Sequence, residues 1–275
     1  MGFSVVTNLA GLNAQSQLHQ TNMGLERTLG RLTSGLRINS AGDDAAGLAA
    51  ANRHKLDKSV LDMGIRSAND GISKLQIEDG AMSNITSLLD RALTLASQAA
   101  SDTFTGSRAT LDSELQSVLS EITRTATAAG LETGNANLTA RSVFVGNTQT
   151  STSVAVTYIS FALTTAVDAQ GLGISSQNVT SQANAAAAIT AIQTAIGTLG
   201  TVQGRAGAAM NRLQFGISQA QTMAVSVAAS ESRIRDANIA EEAANLTKYN
   251  ILTQSGLAAL SQANQASTSV LSLLR

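Results

Sequence analysis

His19 and His54 are the only imidazoles in the chain; they are far apart in sequence and neither has a ligand-spaced partner. Asp43 and Asp44 stand side by side and could in principle share a proton or hold a cation. Placed where a turn leads into a helical pattern, they fit better as negative charge on a helix N-terminus. Gly171-Leu172-Gly173 lacks the strand–helix frame of a dinucleotide loop, and no P-loop, nucleophile elbow or HExxH occurs. Asn84, Asn137, Asn178 and Asn245 each begin an Asn-x-Thr triplet, a pattern too short to carry weight as a site. This inventory predicts no enzyme: no catalytic residue, no cofactor and no metal. What remains to explain the chain is its apolar patterning.

The 275 residues include no proline, where usage of about 5% would give roughly 14. Proline breaks helix interiors, so its absence is compatible with long uninterrupted helices. Hydrophobic residues make up 43% but aromatics only 3%, so Ala, Leu, Val and Ile carry the apolar surface, as in thin helix-on-helix packing. Eighteen basic residues against nineteen acidic ones leave no electrostatic footprint for nucleic acid. Without cysteine there is no disulfide, thiolate metal site or thiol nucleophile. No run approaches 18 consecutive apolar residues, so no membrane insertion is expected. No Lys or Arg precedes Arg27, so the N-terminus lacks the basic region of a cleavable secretory signal. Export, if it occurs, takes another route.

The elements expected from patterning are mainly α. Residues 1–40 form the N-terminal inner helix, with Leu18, Leu25, Leu29, Leu32 and Leu36 on a heptad seam and Asn22 in its one polar slot. Gly30 and Gly35 weaken it by roughly 1 kcal/mol each, so it needs partners. After a turn, a helix starts near Asp43 and runs to about Ala100 on Leu61, Ile65, Ala68, Ile72, Leu75 and Met82, interrupted at Asp79. A shorter helix follows from Arg108 to about Ala128, so 41–130 supplies the N-terminal part of a bundle. Residues 131–180 change chemistry and read as a small β-rich tip, a hairpin over 142–163 turning near Gly146-Asn147. Helix resumes over 181–236, with a soft spot at Gly197–Gly207. The last helix, in 237–275, carries Leu246, Ile251, Leu252, Leu257, Leu260, Val270, Leu271, Leu273 and Leu274. Antiparallel return of the second half along the first buries both seams, giving a long bundle or coiled coil.

The runs LERTLGRLTSGLRINSAGDDAAGLAAANR at 25–53 and SANDGISKLQIEDGAM at 67–82 resemble the N-terminal signature of bacterial flagellin. GAAMNRL at 207–213, SRIRDANIAEE at 232–242 and ILTQSGLAALSQANQASTSVLSLLR at 251–275 resemble its C-terminal signature. The middle does not carry the likeness, and the chain looks like a short form without large outer domains. The resemblance implies an extracellular structural subunit that polymerises into the helical flagellar filament used for swimming, or, as an alternative, a hook–filament junction protein. It implies as partners identical copies, the flagellar cap, hook-associated junction proteins, the flagellar type III export apparatus and an export chaperone.

In that setting the terminal seams become the self-assembly residues, each fully buried Leu contributing roughly 1.5–3 kcal/mol. Arg31, Arg37, Asp43, Asp44, Arg53 and Arg91 become candidates for the polar register between subunits. The resemblance also places a patch read by an innate immune receptor at Leu89, Arg91, Leu95 and Glu114. Asp90 stands where many sensed relatives carry Gln, and exchanging an amide for a carboxylate adds charge and removes donors, which argues against recognition.

Overall fold

A computed structural model describes residues 8–102, 105–135, 138, 141–150 and 153–273, with side chains left out at 147–155 and 267–273. In chain order the elements are α1 (Leu9–Ser34), α2 (Ala45–Ala100), α3 (Arg108–Ala129), β1 (Arg141–Thr150), β2 (Ser153–Phe161), α4 (Gln182–Arg235) and α5 (Ile239–Leu273). The 56 residues of α2 span about 84 Å at 1.5 Å per residue. Each helix starts on a short polar residue whose oxygen meets the first-turn amides: Asn8 for α1, Asp44 for α2, Ser107 for α3, Ser181 for α4 and Asn238 for α5. Gly35, at φ 72°, ends α1 in the left-handed cap, its N–H donating to the Arg31 carbonyl. Leu36, expected on the α1 seam, therefore lies beyond the helix, in a bridge with Asp236.

The chain divides into two compact units: Met1–Leu56 with Ser226–Arg275, and Asp57–Val225. The division falls inside α2 and α4, away from the turns near 40 and 236. Gly197–Gly207 makes no break in α4 either. The second unit holds the core. Leu75, Met82, Ile85, Leu89 and Leu95 of α2 meet Leu115 and Ile122 of α3 and Ile192, Leu199 and Leu213 of α4, all essentially inaccessible. Leu163, Val167, Ile174 and Val179, from the segment after β2, complete that core, so this segment does the capping. By length and composition α4 could cross a membrane, contrary to expectation from the sequence, but its Ala-rich inner face is packed in the bundle instead.

The hairpin lies elsewhere than at a tip. β1 and β2 pair antiparallel from Arg141↔Phe161 to Thr150↔Ser153, so the chain reverses beyond Thr150 and not at Gly146. Gly146 instead follows a bulge at Val145, between the pairs Phe144↔Tyr158 and Gly146↔Thr157. Alternate β1 residues Arg141, Val143 and Val145 meet Glu78, Gly71 and Gly64, spaced by seven along α2. A Cβ at Gly64 would overlap the Val145 carbonyl oxygen, and one at Gly71 would lie 3.0 Å from Val143 Cγ2. Gly216 of α4 does the same for β2, where an added Cβ would sit 2.5 Å from Ile159 Cδ1. The hairpin therefore rests in a trench of glycines on α2 and α4.

At the trench's end Arg141 Nη1 donates to Glu78 Oε1, and Glu78 is fully buried. The interruption expected at Asp79 sits one residue away, since Asp79 is only half-buried. A buried pair of this kind costs about 3–5 kcal/mol when one partner is removed.

The glycines make a direct test. Gly64→Ala is expected to destabilise the second unit by about 1–3 kcal/mol through overpacking. Gly80→Ala, with nothing within 4 Å of its added Cβ, is expected to stabilise by about 0.5–1 kcal/mol. Thermal unfolding followed by circular dichroism reads both signs; equal effects would refute the trench.

Candidate assembly surface

In the first unit α1 and α5 run antiparallel in a fixed register. Asn8 Nδ2 donates to the Ala263 carbonyl at 3.0 Å. A Cβ on Gly256 would sit 2.8 Å from Leu18 Cδ1, and one on Gly24 2.6 Å from Tyr249 Cε1. Arg31 Nη1 donates to Glu242 Oε1 at 3.1 Å. The pairing continues past the helix ends, where the Arg37 N–H donates to the Arg235 carbonyl at 2.6 Å and the Ala237 N–H to the Gly35 carbonyl at 3.0 Å.

This unit buries little. Among its described residues only Gly11, Thr28, Ile38, Ala51 and Glu242 are buried. Leu18, Leu25 and Leu32 of α1, together with Leu246 and Leu260 of α5 and Leu36 beyond α1, are half-buried. Leu29 is 43% exposed, Ile251 58%, Leu252 43% and Leu257 54%, and Leu9 and Leu12 are more than half exposed. The backbone of Val270, Leu271 and Leu273 continues α5, their side chains lying outside the described residues, as does Leu274 entirely. The charge pattern is equally uneven: no Lys, Arg, Asp or Glu occurs from 9 to 25 or from 249 to 274.

The polar candidates are engaged within the chain. Arg31 holds Glu242, and Arg37 Nη2 donates to the Ile234 carbonyl at 2.8 Å. Asp43 accepts from the Asn39 and Ser40 N–H groups and from Ser40 Oγ, while Asp44 caps α2 through the Gly47 N–H at 2.8 Å. Expected at the start of the helix, Asp43 is thus the staple of the turn before it. Arg91 pairs with Glu114, and Arg53 is not free either. Of the residues the resemblance would place in a receptor patch, Leu89 and Leu95 face the core at 0% and 1% exposure, while Asp90, Arg91 and Glu114 face solvent. A leucine seam marks inward and outward positions alike, which is why spacing alone did not separate them.

The N–H groups donated to Asp43 stabilise its charged form and hold its carboxyl below the ordinary aspartate range. A lowered folded-state value means the turn's contribution is complete above about pH 3.9, the unfolded value, and fades as pH falls through the folded one. Asp43→Asn is expected to lower stability at neutral pH and to shrink the loss on acidification. Chemical denaturation of both proteins at neutral and acid pH checks it, and an unchanged acid response would assign that response elsewhere.

Comparison with known proteins follows the same geography. The model of the bacterial flagellin N-terminal helical region matches residues 5–135, and that of the bacterial flagellin C-terminal helical region matches 187–274. The chain is 33% identical over 283 residues to the flagellar filament 33 kDa core protein of Treponema phagedenis, covering 98% of each. It is likewise 33% identical to a flagellin of Halalkalibacterium halodurans, again over 98% of both chains. A flagellin of Bacillus subtilis is 30% identical, with 98% of each covered.

Proposed function

The chain belongs to the bacterial flagellins, structural subunits of the flagellar filament, and from that premise we propose that the α1–α5 pair is the element through which its copies join. One observation carries this: leucines and isoleucines stand in water along two helices that have no formal charge over 9–25 and 249–274. A helix pair of that kind gains stability when more of the same surface covers it. Leu18, Leu25, Leu29, Leu32, Leu246, Ile251, Leu252, Leu257 and Leu260 are the described members of the assembly set, and Val270, Leu271, Leu273 and Leu274 extend it. Leu36 joins the set from beyond α1. Contacts between identical copies that do not close on themselves give a helical polymer.

The polar residues take a local part in this proposal. Arg31, Arg37, Asp43 and Asp44 fix the α1–α5 register and the turn after it, so the apolar edge is presented in one orientation. The second unit is the preformed body, with its own core. Relatives matched over nearly their full length are named as flagellins and filament core proteins, so a hook–filament junction role is not favoured.

We also infer export of the unfolded chain by the flagellar type III route, with a chaperone, and growth beneath the cap on a base of junction proteins. A cysteine-free chain with marginal terminal helices suits passage through a narrow channel. The filament itself is an extracellular appendage.

Deleting residues 256–275 removes Leu257 and Leu260 and two of the four register contacts, Gly256 with Leu18 and Ala263 with Asn8. The truncated chain is expected to remain soluble, with the second unit's helix content intact, and to form no filaments when seeded. Electron microscopy beside the full chain decides it; filaments from the truncated chain would refute the role given to α5.

A further inference from the structure

Gly197, Gly200 and Gly204 lie exposed on the outer stripe of α4, within unbroken helix, and none of them is at positive φ. A Cβ added to any of the three would meet nothing within 4 Å. Neither close packing nor turn geometry therefore asks for glycine here, in contrast to Gly216 on the same helix, which makes room for Ile159. Each still weakens the helix, by about fivefold in its equilibrium constant relative to Ala, because glycine gives up the most backbone freedom on folding.

The residues between them do not compensate. Thr198 and Thr201 are weak helix formers, and their hydroxyls turn back onto the carbonyls of Thr194 and Thr198 at 3.0 and 2.7 Å. Arg205 is the one formal charge between Asp168 and Arg212, so no ion pair along α4 braces this stretch. Its inner face contributes Leu199 and Val202 as large buried side chains, with Ala195, Ala206 and Ala209 at the flanking core positions. Among the described residues one hydrogen bond ties 197–205 to another part of the chain: Arg205 Nη1 donates to the Leu163 carbonyl at 3.2 Å. Leu163 heads the segment that caps the second unit's core.

We propose that residues 197–205 are a built-in weak stretch at which α4 opens ahead of the rest of the second unit, with the Arg205–Leu163 hydrogen bond as its clasp. A stretch with weak local helix and few large buried side chains opens at lower free energy than the core around it. Opening here also releases the Leu163 carbonyl, so the capping segment loosens together with α4. The purpose of such a stretch rests on the export reading. The second unit has a core of its own and has to come apart before the chain can pass unfolded, and a weak stretch gives it a place to start.

Amide hydrogen exchange on the full chain, kept monomeric, reads the opening directly. Amides of 197–205 are expected to exchange faster than those of 209–224 on the same helix and of 85–96 on α2. With Gly197→Ala, Gly200→Ala and Gly204→Ala combined, the stretch is expected to slow on the order of a hundredfold, or to the level of its flanks. The added methyl groups meet nothing, so overpacking does not confound the result. Arg205→Gln is expected to speed exchange at 197–205 and at 164–167 together, with α3 unchanged. Equal protection of the stretch and its flanks in the native chain overturns the proposal, as does a triple variant that exchanges like the native chain. A change in Arg205→Gln confined to 164–167 overturns the clasp. Secretion by flagellated cells tests the purpose separately, and the triple variant is expected to be secreted several times more slowly. Slowed exchange with unchanged secretion sinks the export reading and leaves the opening in place.

Discussion

Apolar surface that a single chain cannot cover is the constraint from which the rest of this structure follows. In the second unit three helices share their inner faces, and Leu75, Leu115, Ile192 and Leu213 disappear from solvent together. In the first unit α1 and α5 lie side by side, and two cylinders in contact can hide one stripe of each. Leu18 and Leu25 fall on the stripe that is partly hidden; Leu29, Ile251 and Leu257 fall off it. Burial is the main source of folding free energy, so the unit with few buried side chains gains least from its own packing.

Register is the second requirement, since it fixes which side chains of each helix lie at the contact. Four contacts along α1 and α5, from Asn8–Ala263 to Arg31–Glu242, keep the two helices from sliding. Two of them are at glycines, where an added Cβ would stand 2.8 Å from Leu18 Cδ1 and 2.6 Å from Tyr249 Cε1. The same device serves the second unit: Gly64 and Gly71 admit β1, and the Glu78–Arg141 pair fixes where the strand stops. Uncharged contacts set closeness, and a single ion pair sets position. An ion pair is suited to this because its energy depends steeply on geometry, even where its net stabilisation is small.

The charge pattern shows the same division of labour. Around the turn at 35–47, arginines and aspartates satisfy backbone groups that helix ends leave open. Farther along α1 and α5 formal charges stop altogether, over 9–25 and 249–274.

The sequence by itself determined the elements. The lack of proline, the three-and-four spacing of Leu and Ala, and polar caps at the breaks foretold long helices at both ends and α3 to within a residue, because these signals act over one or two turns. The family was legible for the same reason, in two blocks of contiguous residues. Tertiary structure decided which residues of each pattern face inward. Leu89 and Leu95 became core while Leu29 and Leu257 stayed in water, because burial depends on how many neighbours a face has, and spacing does not report that. The structure also decided that Glu78, not Asp79, lies in the core row, that the hairpin lies along α2, and that Asp43 staples a turn. Each of these turns on a partner distant in sequence: Arg141 for Glu78, Val145 for Gly64, and for Asp43 a backbone path bent back upon it.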